Sequence, residues 1–448
     1  MPAKPWARYC GIVCLGWCLL SRLEATEEVK PAAVPEAAES WSEIRDRTFA
    51  TVWETVNESY FDATFGGVDW AAMKEKYRQR LPDTADKDAL RGLLQAMLGE
   101  LRRTHFAIMP RETAVFTPAE RVRIGTTGAE VAFVQAVVAI SAVKAGSASA
   151  RAGLHPGDTV VRVDGLELEK LDGYLRRAGF GPARCGLLLT QLVESHLRGA
   201  VGSNVQVALR APDGTQRELV LTCEANDGPW SEPMGDFPSM PVECTVRHFE
   251  AGISYVHFNV FARPAMKDIR KLLLSLPADG GLVLDLRGNV GGISVMASGI
   301  SGWLSDHQFL LGTMHLRQGH IGFNVAPQAG AFLGPVAVLV DSGSASTSEI
   351  MAAGLQEAGR ARIFGENSPG AALPSLFKAL PTGDLLQYAV ADMQTPGGIL
   401  IEGRGVFPDE PVARTLDDLA AGRDPVVDAA KQWLETKRHK PNPETVHP

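Results

Sequence analysis

The sequence contains no run of 18 or more apolar residues, which excludes a helical protein that crosses a membrane several times. It also has no excess of basic residues. Its 44 Lys and Arg are outnumbered by 52 Asp and Glu, so the net charge is −8 and nucleic-acid binding has no electrostatic support. With 448 residues and 45% hydrophobic content, the chain is long enough for two or three globular domains.

Cysteine is scarce, and its spacing is unlike that of a metal site. Three of the six cysteines lie within the first 18 residues, which leaves Cys185, Cys223 and Cys244. No Cys–His cluster indicates zinc, so we expect no metal and no cofactor. The odd number leaves open one disulfide and one free thiol in an oxidising compartment.

The N-terminus has the pattern of a secretory signal. Lys4 and Arg8 precede the apolar stretch 10–20, and the small-residue site at 23–25 follows it. We therefore predict a signal peptide over 1–25 and a flexible linker over 26–39. The mature protein would be periplasmic or extracellular, without integral membrane association after cleavage. A buried N-terminal helix is the alternative interpretation.

Hydrophobic periodicity divides the rest of the chain. Residues 40–118 carry apolar residues at helix spacing and predict a helical segment. Residues 245–415 alternate short apolar strands with Gly- or Ser-rich turns and helices, which predicts an α/β domain with its reactive groups at the carboxyl ends of strands. Residues 416–448 are predicted to form a C-terminal helix and tail.

The segment 120–225 has a different character. A hairpin is predicted around Pro212-Asp-Gly214, and Ala152-Gly-Leu-His-Pro-Gly-Asp158 resembles a motif of PDZ domains. The resemblance implies an inserted PDZ domain that binds an extended peptide by strand addition. Residues 168–200 are longer than such a domain needs and predict an inserted helical segment that could lie over the groove.

Ser346 follows a buried strand at a helix start, a position typical of an exposed nucleophile but also of a helix N-cap. Four segments follow in order: Asp285-Leu-Arg-Gly-Asn-Val-Gly-Gly292, Ser344-Ala-Ser-Thr-Ser-Glu-Ile350, Gly365-Glu366 and Gly403-Arg-Gly-Val-Phe-Pro-Asp409. Together they resemble the C-terminal processing, or tail-specific, serine peptidases. The resemblance implies a ClpP/crotonase-like core of β-α repeats, with Ser346 as nucleophile.

The oxyanion formed during acyl transfer needs backbone donors. The glycines Gly291 and Gly292 let an N–H approach closely, and the N–H of Thr347 lies next to the nucleophile. We expect these three residues to form the oxyanion hole, although the glycines also fit an ordinary strand–helix turn.

The sequence differs from the bacterial members of this family mainly at the residue that acts as general base. Alanine stands at Ala371, where those enzymes have the catalytic lysine, and nothing in the sequence indicates that Lys378 replaces it. The chain instead resembles the tricorn-core branch, which uses Ser-His-Glu. That resemblance assigns His105, in Leu-Arg-Arg-Thr-His, and Glu402 to the triad. Arg103 stands where the branch has aspartate, and Glu349 is expected to cap or pair.

The leading hypothesis is an exported serine endopeptidase that cleaves unfolded polypeptides or protein tails through an acyl-enzyme. The polypeptide partner would be delivered, through its C-terminal tail, by the PDZ domain, because the sequence marks no inhibitory contact. Two alternatives stay open. One is a non-catalytic module that binds peptides or apolar ligands, since retinoid-binding modules of the photoreceptor matrix resemble this fold. The other is a pseudo-enzyme scaffold, which Ala371 would permit.

Overall fold

The computed structural model describes residues 39–438. The predicted signal peptide and nearly all of the predicted linker lie outside these residues, as does the end of the predicted C-terminal tail. Within residues 39–438, no helix has both the length and the apolar character needed to cross a membrane.

The N-terminal segment is helical, as predicted. Its elements are α1 Trp41–Ser59, α2 Trp70–Arg78, α3 Lys87–Gly99, β1 Ala107–Met109 and α4 Pro118–Arg121. Each of the three long helices begins at a side-chain cap, from Ser40, Asp69 and Asp86 in turn. Such caps satisfy N–H groups that have no partner inside the helix.

The middle segment is a mainly antiparallel β-domain with helices. Its elements are β2 Ile124–Thr126, β3 Ala129–Val134, β4 Val137–Val143, α5 Ala148–Arg151, β5 Thr159–Val163, β6 Leu166–Glu167, α6 Leu168–Arg177, α7 Pro182–His196, β7 Arg198–Ala200, β8 Asn204–Arg210, β9 Gln216–Thr222 and β10 Glu224–Ala225. One sheet has the order β3-β4-β5-β8-β9. The predicted hairpin is confirmed as β8–β9, and the predicted helical stretch 168–200 contains α6 and α7.

The third segment is an α/β domain, as predicted. Its elements are β11 Cys244–His248, β12 Ile253–Phe258, α8 Arg263–Ser275, β13 Gly281–Asp285, α9 Ser294–Gly302, β14 Phe309–Leu316, β15 His320–Val325, β16 Val336–Val340, α10 Thr347–Glu357, β17 Arg362–Gly365, β18 Ser375–Ala379, β19 Leu385–Ala389, β20 Ala391–Gln394, β21 Glu410–Pro411, α11 Leu416–Ala420 and α12 Pro425–Arg438. The main sheet has the order β11-β12-β13-β16-β17-β21 and is parallel except between β11 and β12.

Both faces of this main sheet are covered. Leu282 and Leu284 of β13 belong to the hydrophobic core that includes α8, α9 and α10, whereas Val283 packs in the core that includes α12. Alternate residues of a strand point to opposite faces, so a strand buried on both sides must be apolar throughout. The carboxyl ends of β13 and β16 are neighbours, with Asp285 paired to Leu339.

The helical segment reaches the α/β domain through β1. Strand β1 pairs with β19 at Ala107 and Gln387, and β19 pairs with β18. The apolar faces of α1 and α3 share one hydrophobic core with Leu386 of β19. This pairing fixes the position of the residues just before β1, which include His105.

A buried ion pair strengthens the same junction. Nη2 of Arg91 on α3 lies 2.7 Å from Oδ1 of Asp384, and their side chains are only 5% and 3% exposed. Removing one partner of a buried pair leaves an uncompensated charge, so Arg91→Met should lower the free energy of unfolding by roughly 3–5 kcal/mol. Thermal or denaturant unfolding measures the change.

The matched control is Arg47→Met. Arg47 pairs with Glu39 in solvent, where a pair contributes about 0–1 kcal/mol. Equal stability losses in the two variants would contradict a structural role for the buried pair.

The described cysteines form no disulfide. Cys185, Cys223 and Cys244 are all free thiols, and the first two are buried. The disulfide that the sequence left open is therefore not formed among residues 39–438.

Candidate active site

Ser346 lies between the carboxyl end of β16 and the first residue of α10. It is the N-cap of α10, with φ 58° and ψ −115°, and is 2% exposed. A non-glycine residue with positive φ is strained, and such strain concentrates at functional sites. The N–H of Ser346 donates to the carbonyl oxygen of Ala371 at 2.9 Å and to Oε2 of Glu349 at 3.1 Å.

The other hydroxyl groups of the serine-rich turn fasten it to the turn after β13. Ser344 Oγ donates to the carbonyl of Leu286, and Ser348 Oγ donates to the carbonyl of Asn289. Thr347 Oγ1 donates to the carbonyl of Gly292 at 2.8 Å. Ser346 is itself the N-cap of α10, and its neighbours hold the two turns together.

His105 and Glu402 are joined through a third residue, Thr104. The hydroxyl of Thr104 donates to Oε2 of Glu402 at 2.8 Å, and its N–H donates to Oε1 at 3.0 Å. Thr104 Oγ1 also lies 2.6 Å from Nδ1 of His105. Because the hydroxyl proton is directed at the carboxylate, the threonine oxygen accepts from Nδ1–H of the imidazole. His105 has φ 60°, a second strained residue at this site.

The sequence did not identify Thr104. The resemblance implied that the carboxylate holds the imidazole, and no pattern distinguished Thr104 from an ordinary polar residue before a strand. Its adjacency to His105 was the one available signal.

Glu402 is a buried carboxylate, 8% exposed. Burial raises its pKa, and this effect is opposed by the positive charge of Arg184 and by hydrogen bonds from Thr104 and the N–H of Ala372. Glu402 is therefore not a solvated loop carboxylate.

The dipeptide 371–372 connects the nucleophile to the carboxylate. The carbonyl of Ala371 accepts from the N–H of Ser346 at 2.9 Å, and the N–H of Ala372 donates to Oε2 of Glu402 at 3.2 Å. A continuous series of hydrogen bonds and adjacent residues thus runs from Ser346 through Glu402 and Thr104 to His105. Residues that are about 300 positions apart in the sequence share one site.

Glu349 lies in the first turn of α10 and caps it at Ser346, one of the two roles expected for it. Its carboxylate accepts hydrogen bonds from the backbone of Ser346, Gly370 and Ala371 and from the hydroxyl of Ser368. Burial raises the pKa of Glu349 to about 7, although these hydrogen bonds oppose the rise. This carboxylate fixes the loop that faces the nucleophile.

The glycine turn after β13 packs tightly against Phe261 and is hydrogen-bonded to Thr347, the residue after the nucleophile. A Cβ at Gly292, where φ is 128°, would lie 2.6 Å from the carbonyl oxygen of Phe261, so no larger residue fits. The N–H of Gly291 already donates to Oδ1 of Asn289 at 2.9 Å. Of the two glycines, Gly292 therefore retains the more available donor, beside Thr347.

Lysine has no part in this arrangement. Ala371, the residue that the resemblance places where the bacterial enzymes have lysine, is 4% exposed. Lys378 is exposed, and its Nζ contacts Thr55 Oγ1 of α1 at 3.1 Å. No group of three or more His, Cys, Asp or Glu residues suited to a metal ion occurs in the described part of the chain.

Helix α7 of the middle segment covers one side of the site. Leu187 packs with Ala345 and Ala371, which flank the nucleophile. A Cβ at Gly186 would lie 2.9 Å from Ser342 Oγ, so the helix backbone approaches the serine-rich turn closely. The sequence did not predict this contact. The contact weakens the expectation that the middle domain only delivers substrate.

Two family profiles match the chain. The profile of Peptidase family S41 matches residues 252–412, and that of the Tricorn protease C1 domain matches residues 41–99.

Curated relatives match over most of their length. A carboxyl-terminal-processing protease of Synechocystis is 27% identical over 383 residues, covering 82% of this chain and 81% of the relative. One of Picosynechococcus is 27% identical over 368 residues, with 80% and 81% covered. Among solved structures, the photosystem II D1 C-terminal processing protease has a TM-score of 0.57 at 24% identity, with 82% of this chain and 93% of that chain covered. This structural likeness supports the same fold.

Proposed function

We propose that the chain is a carboxyl-terminal processing serine peptidase of family S41, and that it hydrolyses peptide bonds with Ser346 as nucleophile, His105 as general base and Glu402 as the supporting carboxylate. The observation that carries this assignment is the series of hydrogen bonds that joins Glu402 to His105 through Thr104. The position of Ala371 in place of lysine supports the choice of histidine as base.

In this mechanism Ser346 Oγ attacks the scissile carbonyl carbon while the imidazole of His105 takes its proton. The imidazolium donates a hydrogen bond from Nδ1–H to Thr104 Oγ1, and the Thr104 hydroxyl donates a hydrogen bond to Oε2 of Glu402, so that both protons stay on their own residues. The negative charge of the carboxylate thereby stabilises the imidazolium across the hydroxyl. The C–N bond breaks as the amine leaves with the proton, and water then hydrolyses the acyl-enzyme.

The oxyanion donors would be the N–H groups of Gly292 and Thr347. Their proximity is supported by the hydrogen bond from Thr347 Oγ1 to the Gly292 carbonyl. Gly291 contributes by shaping the turn, because its N–H is engaged by Asn289. Losing one such donor typically costs about 2.7–4 kcal/mol of transition-state stabilisation.

The substrate would be an unfolded polypeptide or a protein tail that reaches the site beside the middle domain. The motif at 152–158 supports a PDZ identity for that domain. Its edge strand β3 is the one that packs against α7, with Phe133 close to Gly186. A peptide added at this edge would lie on the same side as the contact of α7 with the nucleophile turn.

Export to a periplasmic or extracellular compartment is part of the proposal. It rests on the signal pattern of residues 4–25, outside the described residues. Removal of residues 1–25 on secretion, detected by N-terminal sequencing of the mature protein, would support it. An intact N-terminus on cytosolic protein would refute it.

A fluorophosphonate probe tests the nucleophile. The wild-type protein, incubated with and without a denatured protein substrate, should become labelled and should degrade that substrate. Ser346→Ala should lose both activities while retaining its circular dichroism spectrum. Equal labelling of the variant, or no labelling and no proteolysis by the wild type, would contradict the proposal.

A further inference from the structure

Helix α7 forms a wall of the space next to the nucleophile. Leu187 belongs to one buried cluster with Ala345 and Ala371, and Ser346 next to them is only 2% exposed. A polypeptide that reaches Ser346 from this side passes α7. The side chains that α7 presents here are candidates for substrate contacts.

Arg184 lies on the same face of α7. It is three residues before Leu187, a spacing that places two side chains on one helix surface. It occupies the first turn, where the helix dipole disfavours a cation and where α7 has no acidic residue. Arginine at this position destabilises the helix unless its charge makes a favourable interaction elsewhere.

The guanidinium of Arg184 has no anionic partner in contact. Its Nε is buried without a hydrogen-bond acceptor, and no ion pair to Arg184 occurs within residues 39–438. Its Cζ lies 5.7 Å from the ring of Phe180. Glu402 feels the charge of Arg184 but directs its oxygens to Thr104 and Ala372. The charge of Arg184 is thus close enough to act on Glu402, and its Nε–H donor is unused.

We propose that Arg184 is a specificity-determining residue that binds a carboxylate of the substrate close to the scissile bond. This rests on the peptidase function proposed above. A guanidinium binds a carboxylate through two parallel N–H donors, which makes the contact directional. The adjacent wall of Leu187, Ala345 and Ala371 suits a small apolar residue beside that carboxylate. The carboxylate comes either from an Asp or Glu side chain or from the C-terminus of a tail.

The experiment compares cleavage of matched fluorogenic peptides by the wild type and by Arg184→Gln. The peptides carry Glu or Gln near the cleavage site and a free or amidated C-terminus, so the two sources of the carboxylate are tested separately. We expect Arg184→Gln to lower kcat/KM for the carboxylate-bearing peptides by roughly 10- to 100-fold, mainly through KM. The neutral amidated peptide should lose much less, since for that peptide the substitution removes only the influence of the Arg184 charge on Glu402.

Two further variants sharpen the result. Arg184→Glu should favour peptides with Lys in place of Glu. Arg177→Gln, on the exposed end of α6, is the matched control and should leave every peptide unchanged. If Arg184→Gln loses only the preference for Glu over Gln, the carboxylate that Arg184 binds is a side chain. If it loses only the preference for a free over an amidated C-terminus, that carboxylate is the end of the tail.

A uniform loss on neutral and acidic peptides would show that Arg184 is merely structural and would overturn the inference. So would a wild-type enzyme that reacts with the fluorophosphonate at Ser346 but cleaves all four peptides equally; that result would leave the peptidase function intact. Absence of both labelling and cleavage in the wild type would overturn the two proposals together.

Discussion

His105→Ala should lower kcat by about 10⁴- to 10⁶-fold, because loss of the base in a serine triad leaves only the contributions of the oxyanion donors and of binding. The contacts of His105 support this role: its Nδ1 is held by Thr104, so the tautomer and ring orientation are set by Glu402. In the wild type, kcat/KM should also fall on acidification, since imidazolium cannot accept the serine proton.

Lys378→Ala is the matched control for the base. Lys378 is exposed and contacts Thr55, so its loss should leave turnover unchanged. Steady-state hydrolysis of one short peptide by the two variants decides between the bases. Full activity in His105→Ala with loss in Lys378→Ala would replace the histidine mechanism by a lysine mechanism.

Glu402→Gln should lower kcat by roughly 10⁴-fold with little change in KM, the size of effect seen when a triad carboxylate becomes an amide. The amide lacks the negative charge that supports the imidazolium. Its NH₂ group also cannot accept the hydrogen bonds that Glu402 now receives from Thr104 and Ala372. Single-turnover kinetics would separate the chemical step from binding.

Thr104 offers a test of the connection itself. Thr104→Val removes the bridging hydroxyl and should approach the loss in Glu402→Gln, whereas Thr104→Ser keeps the hydroxyl and should retain most activity. If Glu402→Gln were fully active and Glu349→Gln were not, the carboxylate would be the wrong one. Equal activity of the valine and serine variants would show that the bridge is not used.

The elements that the sequence predicted correctly are those with local signals. Residue spacing predicts the apolar faces of helices α1 and α3 and the apolar strands β13 and β16. Turn chemistry predicts the Asp-Gly turn between β8 and β9. The approach of His105 to the core depends on the pairing of β1 with β19, which is far away in sequence. Only the resemblance to a known family made that position predictable.

The remaining details depend on side-chain directions that no local pattern contains. Thr104 functions as a bridge because its hydroxyl lies between two groups from distant segments. The N–H of Gly291 is not free to bind an oxyanion, because it donates a hydrogen bond to the side chain of Asn289. The contact of Leu187 with Ala345 joins two domains, and small apolar residues at such a contact resemble ordinary core residues in the sequence.

The cover that α7 places over Ser346 has a consequence for the cell that makes the enzyme. A nucleophile only 2% exposed is protected from chance encounters with folded neighbours, including other copies of the same enzyme. We therefore expect the fold of residues 39–438 itself to limit access to Ser346. The rate at which a small covalent reagent reaches Ser346 would report how often the cover opens, and the rate for a bulky reagent would report how far.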